Sequence, residues 1–107
     1  MIAKTPHPPY YAVIFTSIRT EGDYGYSETA AEMENLVETQ PGFLGYESAR
    51  SDIGITVSYW KDLESIRNWK ENTDHAIAKG KGRKIWYKKY KVRIAVVEHD
   101  YGFEKKN

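Results

Sequence analysis

The chain has 107 residues, a formal net charge of +1 and 14% aromatic residues. So many rings with so little net charge exclude a disordered chain, and the absence of cysteine excludes disulfides, thiolate zinc sites and a cysteine nucleophile. No apolar run approaches the roughly 20 residues of a membrane span. Residues 1–9 hold three of the four prolines and lack a signal-peptide core. We predict one cytoplasmic domain over residues 1–107, with an ordered core over about 10–103.

Four segments have the β-branched and aromatic composition of strands. The first, at residues 10–19, follows the proline-rich lead-in and reads YYAVIFTSIR. The second and third form a hairpin around a short turn at 51–54. The predicted strands span residues 10–19, 43–50, 55–60 and 92–98.

The segments between these strands have helical spacing. Ser27 is the predicted N-cap of a helix that runs to Thr39 and is stopped by Pro41 and Gly42. Asp62 is predicted to cap a short helix, and Asn72 or Thr73 to cap another. Gly80 and Gly82 interrupt the last pattern and are interpreted as a close packing point or a local break.

The resulting order is β-α-β-β-α-β, which predicts a ferredoxin-like α+β fold with a four-stranded antiparallel sheet. Its strands do not alternate cleanly between apolar and polar residues. Val13 and Phe15 point to one face of the first strand, and Ala12 and Ile14 to the other. Because one subunit's helices cover only one face, we expect a homodimer through the other. Alternatively, the C-terminal tail covers this second face of the sheet.

His7 and His99 have no acidic or histidine neighbour at metal-ligand spacing, so we predict no metal site. His75 is the best candidate general base, because it lies near the start of the second helical layer. A surface or packing role is the alternative for this lone histidine.

Aromatic residues on strand ends and helix faces suit a pocket for a flat apolar ligand, or plain core packing. Residues 79–93 hold eight of the sixteen cations. We interpret this run as a solvated helix face, because the third strand lacks the exposed aromatics that an RNA recognition motif requires. No nucleic-acid partner is therefore predicted.

Three further blocks occur in a distinctive order: residues 40–48 (QPGFLGYES), 58–69 (SYWKDLESIRNW) and 82–90 (GRKIWYKKY). Together, from about Tyr10 to Phe103, they resemble the antibiotic biosynthesis monooxygenase family. The resemblance implies dimeric α+β barrels with a cavity in each subunit between sheet and helices. Some members oxidise polycyclic phenols or quinols with dioxygen and without metal or flavin.

By this resemblance the chain is expected to be a cofactor-independent monooxygenase for a small aromatic substrate. The protein would supply a base, a dry pocket and orientation. The implied catalytic base is His75, and the implied substrate-binding residues are Tyr59, Trp69, Trp86 and, beside a phenolate or oxyanion, Arg83.

Two other functions follow from the same resemblance. A second branch of the family degrades haem and places the ligating histidine ten residues after the helix tryptophan, where this chain has Lys79. That branch also uses an asparagine on the first strand, which YYAVIFTSIR lacks. A non-enzymatic dimer that binds a small molecule is the main alternative to the oxygenase.

Overall fold

Four strands and three helices form the fold in the computed structural model, which describes the backbone of residues 1–79 and 83–106 and the side chains of residues 1–74 and 85–106. In chain order they are β1 (Tyr10–Arg19), α1 (Tyr26–Val37), β2 (Phe43–Arg50), β3 (Gly54–Trp60), α2 (Leu63–Lys79), α3 (Arg83–Trp86) and β4 (Tyr87–Val97). The predicted ferredoxin-like order is confirmed. Within the described ranges no helix is long and apolar enough to cross a membrane.

The four strands form one antiparallel sheet in the order β2-β3-β1-β4. Tyr11 of β1 lies opposite both Trp60 of β3 and Val96 of β4. Directly opposed residues share a face, and successive residues alternate between faces. The face that carries Trp60 packs against α2 and is called the helix side below. The opposite face is called the far side.

The core lies on the helix side, at the end of the sheet where β3 finishes. Val37 of α1, Trp60 of β3 and Ile66 of α2 are buried together. Trp60 has no exposed surface, and its ring lies 5.3 Å from that of Phe43 and 6.0 Å from that of Trp69. Its indole nitrogen Nε1 donates to Ser58 Oγ at 2.9 Å, so this buried ring has a polar partner.

The start of α1 differs from the sequence prediction. Ser27 is the second residue of the helix, and the N-cap is Gly25, whose φ of 86° lies in the left-handed region. The carboxylate of Asp23 accepts hydrogen bonds from the backbone nitrogen and the hydroxyl of Ser27. These bonds lower the pKa of Asp23. The capping oxygen therefore comes from two residues before the cap, which the pattern of Ser27 alone could not show.

The second helical layer is more continuous than predicted. Asp62 Oδ1 accepts from the Ser65 backbone nitrogen at 2.8 Å, so the predicted cap is present. No second helix begins at Asn72 or Thr73, however. The Thr73 hydroxyl donates to the carbonyl oxygen of Lys70 inside α2, which is typical of a threonine within a helix. The predicted break at Gly80 and Gly82 lies outside the described residues.

The last strand begins at Tyr87, five residues earlier than predicted, because β1 pairs with β4 along its whole length, up to Arg19 opposite Tyr87. A bulge near Ile18 accommodates the extra residue. The interpretation of the basic run as a helix face is therefore wrong for its second half. Those cations lie on β4, and three of them, Lys89, Lys91 and Arg93, are on the far side of the sheet.

Part of the far side is covered by the proline-rich lead-in. The backbone nitrogen of Ala3 donates to Glu47 Oε2 at 2.9 Å, and the Ala3 side chain packs close to Gly45. Beneath this segment Tyr10 is 4% exposed. Residues 1–9 thus cover a part of this face for which the sequence predicted a partner subunit or, alternatively, the C-terminal tail.

Trp60→Ala is expected to destabilise the fold by about 3–5 kcal/mol, because it removes the one large side chain that is completely buried among the described residues. The matched control is Leu63→Ala, since Leu63 is 49% exposed. It should cost less than about 1 kcal/mol. Urea unfolding of both variants measures the difference. Equal losses would show that Trp60 is not the centre of the core.

Candidate functional site

The residues predicted to bind substrate lie in separate places. Tyr59 is on the far side, opposite Ala12, and its ring packs against Tyr10 at 5.8 Å. Trp69 is on the helix side and packs against Trp60. Trp86 is 3% exposed and lies beyond the other end of β1, where its Nε1 donates to the carbonyl oxygen of Tyr24 at 2.9 Å.

Trp69 and Trp86 lie at opposite ends of the sheet. Tyr11, opposite Trp60, and Arg19, opposite Tyr87, are eight positions apart on β1. At strand geometry this is about 25 Å, longer than a three-ring aromatic molecule. The structure therefore does not bring Trp69 and Trp86 to one small ligand.

His75 and Arg83 belong to helices α2 and α3, but their side chains lie outside the described part of the structure. Their backbone positions are informative. Residue 75 is six residues, or about 9 Å along the axis of α2, beyond Trp69 toward the helix C-terminus. Residue 83 shares the single turn of α3 with Trp86. Both positions thus lie toward the Trp86 end of the molecule.

That end carries a cluster of rings, called the aromatic wall. Tyr87 makes edge-to-face contacts with Phe15 at 5.7 Å and with Tyr26 at 6.0 Å. Tyr90 lies 5.3 Å from Phe15 and 5.5 Å from Tyr87. Such geometries are favourable for aromatic pairs. The members of the aromatic wall are Phe15, Tyr26, Trp86, Tyr87 and Tyr90.

Within the wall, the phenol of Tyr87 is held neutral. Burial raises the pKa of Tyr87 far above its ordinary value, and the interactions with Tyr26, a hydrogen bond among them, raise it further. Arg19 and Arg50 act in the opposite direction. At neutral pH the Tyr87 hydroxyl is therefore a hydrogen-bond donor and not a base.

Arg19 is fixed against this wall. Its guanidinium carbon lies 3.4 Å from the centroid of the Tyr26 ring, a cation–π contact. Its Nε donates to the carbonyl oxygen of Trp86 at 2.9 Å, and Nη2 donates to that of Gly22 at 3.1 Å. Two of its five N–H donors thus join β1 to α3 and to the turn before α1.

A second arginine crosses the helix side of the sheet beside the wall. Arg50, Gly54, Ser17 and Tyr90 lie directly opposite one another on the four strands, and we call them the arginine row. Arg50 Nη2 donates to Ser17 Oγ at 2.6 Å, and Ser17 is 1% exposed. A Cβ at Gly54 would collide with the guanidinium, so the side chain reaches Ser17 only because position 54 is glycine.

Small hydroxyl residues occupy β2 and β3 between the arginine row and the core. Ser48 and Thr56 are opposed and hydrogen-bonded at 2.8 Å, and Thr56 also lies opposite Phe15. Ser58 comes next on the same side. The helix side thus has large rings at one end, an arginine and rings at the other, and short polar side chains between them.

On the far side, a second group of polar residues anchors the lead-in, and we call it the lead-in clasp. Tyr59 Oη donates to Glu47 Oε1 at 2.7 Å, and Tyr10 Oη donates to Asp100 Oδ2 at 2.5 Å. Burial and the bond to Glu47 raise the pKa of Tyr59 to about 12. The members of the clasp are Ala3, Thr5, Tyr10, Glu47, Tyr59 and Asp100.

An open cleft of about 380 Å³ lies beside the clasp, between residues 5–8 and 98–100. It contains His7 and His99 as well as the carboxylates of Glu98 and Asp100. In the described part of the chain, no three His, Asp or Glu side chains are arranged to hold a metal ion.

Arg19, Arg50 and the role of Gly54 were not predicted from the sequence. Arg50 ends a strand just before a turn, which looks like an ordinary surface position. The available signal was a glycine that opens β3 opposite that arginine across the hairpin, since glycine in a strand often marks a close approach.

Comparisons with known proteins agree on the family. A model described as antibiotic biosynthesis monooxygenase matches residues 9–80. A relative named uncharacterized protein YqjZ, from Bacillus subtilis strain 168, is 51% identical over 105 residues, which cover 96% of this chain and 92% of the relative.

Solved structures show the same fold at low sequence identity. PA3566 from Pseudomonas aeruginosa has a TM-score of 0.66 at 14% identity and covers 90% of this chain and 99% of its own. SnoaB from Streptomyces nogalater, described as a cofactor-independent oxygenase, has a TM-score of 0.62 at 11% identity and covers 92% of this chain and 100% of its own.

The lead-in clasp predicts a specific loss of stability at high pH. The neutral Tyr59 phenol is favoured in the folded state, so its contribution is complete below about pH 10 and is lost as the pH rises through about 12. Tyr59→Phe should unfold at lower urea concentration than wild type at about pH 8, and the gap should shrink by about pH 12. Tyr101→Phe is the control, because Tyr101 is fully exposed. A constant gap across this range would contradict the assignment.

Proposed function

Because the chain belongs to the antibiotic biosynthesis monooxygenase family, we propose that it is a cofactor-independent monooxygenase for a small aromatic substrate of the phenol or quinol type. The observation that supports this is the aromatic wall beside the arginine row on the helix side of the sheet. Rings contact a flat substrate, and a guanidinium favours a negatively charged oxygen on it.

The proposed chemistry needs no bound redox group, because the substrate supplies the electrons. A phenol that has lost its proton is electron-rich and can reduce dioxygen. One oxygen atom of dioxygen forms a bond to a ring carbon, the other is released as water, and the phenol is converted to a quinone. The protein contributes a base, a fixed orientation and a site with little water.

The roles of individual residues follow their places in the fold. We propose that Trp86 and Tyr87 contact the substrate from the β4 end, with Arg83 beside them on α3. His75, on the part of α2 that runs toward this end, is the proposed base. Trp69 supports the fold by packing against Trp60 in the core, while Tyr59 belongs to the lead-in clasp.

Oxygen uptake with a panel of anthrones, quinols and naphthols tests this function. We expect dioxygen consumption that depends on one class of substrate, with label from ¹⁸O₂ in the product. His75→Gln should lower the rate by at least about 100-fold, as expected for loss of a general base. His99→Gln is the control, because residue 99 is exposed beyond β4. Full activity in His75→Gln would remove this residue from the mechanism.

A non-enzymatic binding protein is the second candidate. The aromatic wall and Arg50 would provide contacts for a ligand, and binding alone requires no base. Saturable binding of an aromatic ligand without oxygen uptake on any substrate of the panel would favour this function.

We also propose that the protein acts as a homodimer through the far side of the sheet. The lead-in covers the Tyr10 end, but Ile55 remains 45% exposed. Ile14 and Val57, which are opposed, adjoin it on the same face. The cations of β4 would lie at the rim, which is polar and solvent-accessible in protein interfaces.

Ile55→Glu is expected to shift the protein from dimer to monomer in sedimentation velocity, because it places a charge in the proposed interface. Leu63→Glu is the matched control, since Leu63 is exposed to a similar extent on α2. A monomeric wild type, or a dimer that Ile55→Glu leaves intact, would contradict the interface.

A further inference from the structure

Arg50 is held in place across the sheet before any ligand is bound. Its guanidinium lies over the bare backbone of Gly54, and Nη2 donates to the buried hydroxyl of Ser17 at 2.6 Å. A guanidinium in one fixed position loses less conformational entropy on binding than a free surface arginine. This arrangement requires glycine on β3 and a small hydroxyl residue on β1.

The charge of Arg50 is not neutralised within the described side chains. It forms no ion pair with any carboxylate of residues 1–74 or 85–106. Its side chain is exposed, and one of its five N–H donors is used by Ser17. A planar fork with unused donors is suited to an anionic oxygen.

The surroundings of Arg50 select an aromatic anion. Tyr90 is in the same row of the sheet, and its ring lies 5.3 Å from Phe15 and 5.5 Å from Tyr87. The positive charge of Arg50 also acts on the Tyr87 phenol. A ligand ring placed against this wall would therefore have its substituents within reach of the guanidinium.

We infer that Arg50 is a specificity-determining residue that binds an anionic oxygen of an aromatic ligand, either an ionised phenol or a carboxylate, against the aromatic wall. The binding role stands without catalysis. The link to turnover rests on the proposed function: by favouring the ionised phenol, Arg50 would hold the electron-rich form that reduces dioxygen. The phenolic proton passes to the base or to water.

Two pairs of measurements on the full-length protein test this inference. The carboxylate is probed with 2-naphthoate and its neutral counterpart 2-naphthamide, by titration calorimetry at about pH 7.5. The phenolate is probed with 7-hydroxycoumarin, whose neutral and ionised forms absorb differently, at the same pH. We expect wild type to bind 2-naphthoate at least about tenfold more tightly than 2-naphthamide, or to increase the ionised fraction of bound 7-hydroxycoumarin. The arm that responds identifies the anion.

Arg50→Gln should abolish the preference for the anion while leaving the affinity for 2-naphthamide within about threefold of wild type. Gly54→Ala keeps the charge but displaces the guanidinium, so it should weaken the preference as well. Arg67→Gln is the matched control, because it removes the same charge from an exposed position on α2.

An equal preference in wild type and Arg50→Gln would overturn the inference, as would no preference in wild type in either arm. Oxygen uptake is measured separately. A protein that prefers anions through Arg50 but oxidises no substrate would disprove the oxygenase and leave the anion site standing. A protein that oxidises a substrate but shows no preference for anions would support the oxygenase and disprove the anion site.

Discussion

The antiparallel pairing of β1 with both β3 and β4 is the constraint on which the rest of the structure depends. It fixes which side chains share a face, and a slip of one residue would exchange the two faces. With Tyr11 opposite Trp60, the core forms under α2. With Ser17 opposite Gly54 and Tyr90, the same register brings Arg50 beside the aromatic wall.

The helix side is divided because close packing and ligand binding make opposite demands on a sheet. At the Trp60 end, large rings and aliphatic side chains pack beneath the helices and form the hydrophobic core. Toward the other end the residues of β2 and β3 are short and polar. They contribute little burial, and they leave the side chain of Arg50 exposed.

The far side is divided in a different way. The lead-in clasp pairs the buried hydroxyls of Tyr10 and Tyr59 with carboxylates, which meets the requirement that buried polar groups have partners. It holds residues 1–9 over one end of the sheet. Ile55 stays exposed beside the covered end, and the proposed partner subunit would pack on this remaining area. The lead-in would thus limit the proposed interface without occupying all of it.

The sequence by itself determined the order of strands and helices along the chain, the Asp62 cap and the family, because these depend on local periodicity and on short motifs. Only the tertiary structure decided that β4 begins at Tyr87, since that start is set by pairing with β1. It also separated Trp69 from Trp86 and placed Tyr59 on the far side. Arg50 could not be recognised in advance, because its position depends on a glycine and a serine brought beside it by two other strands.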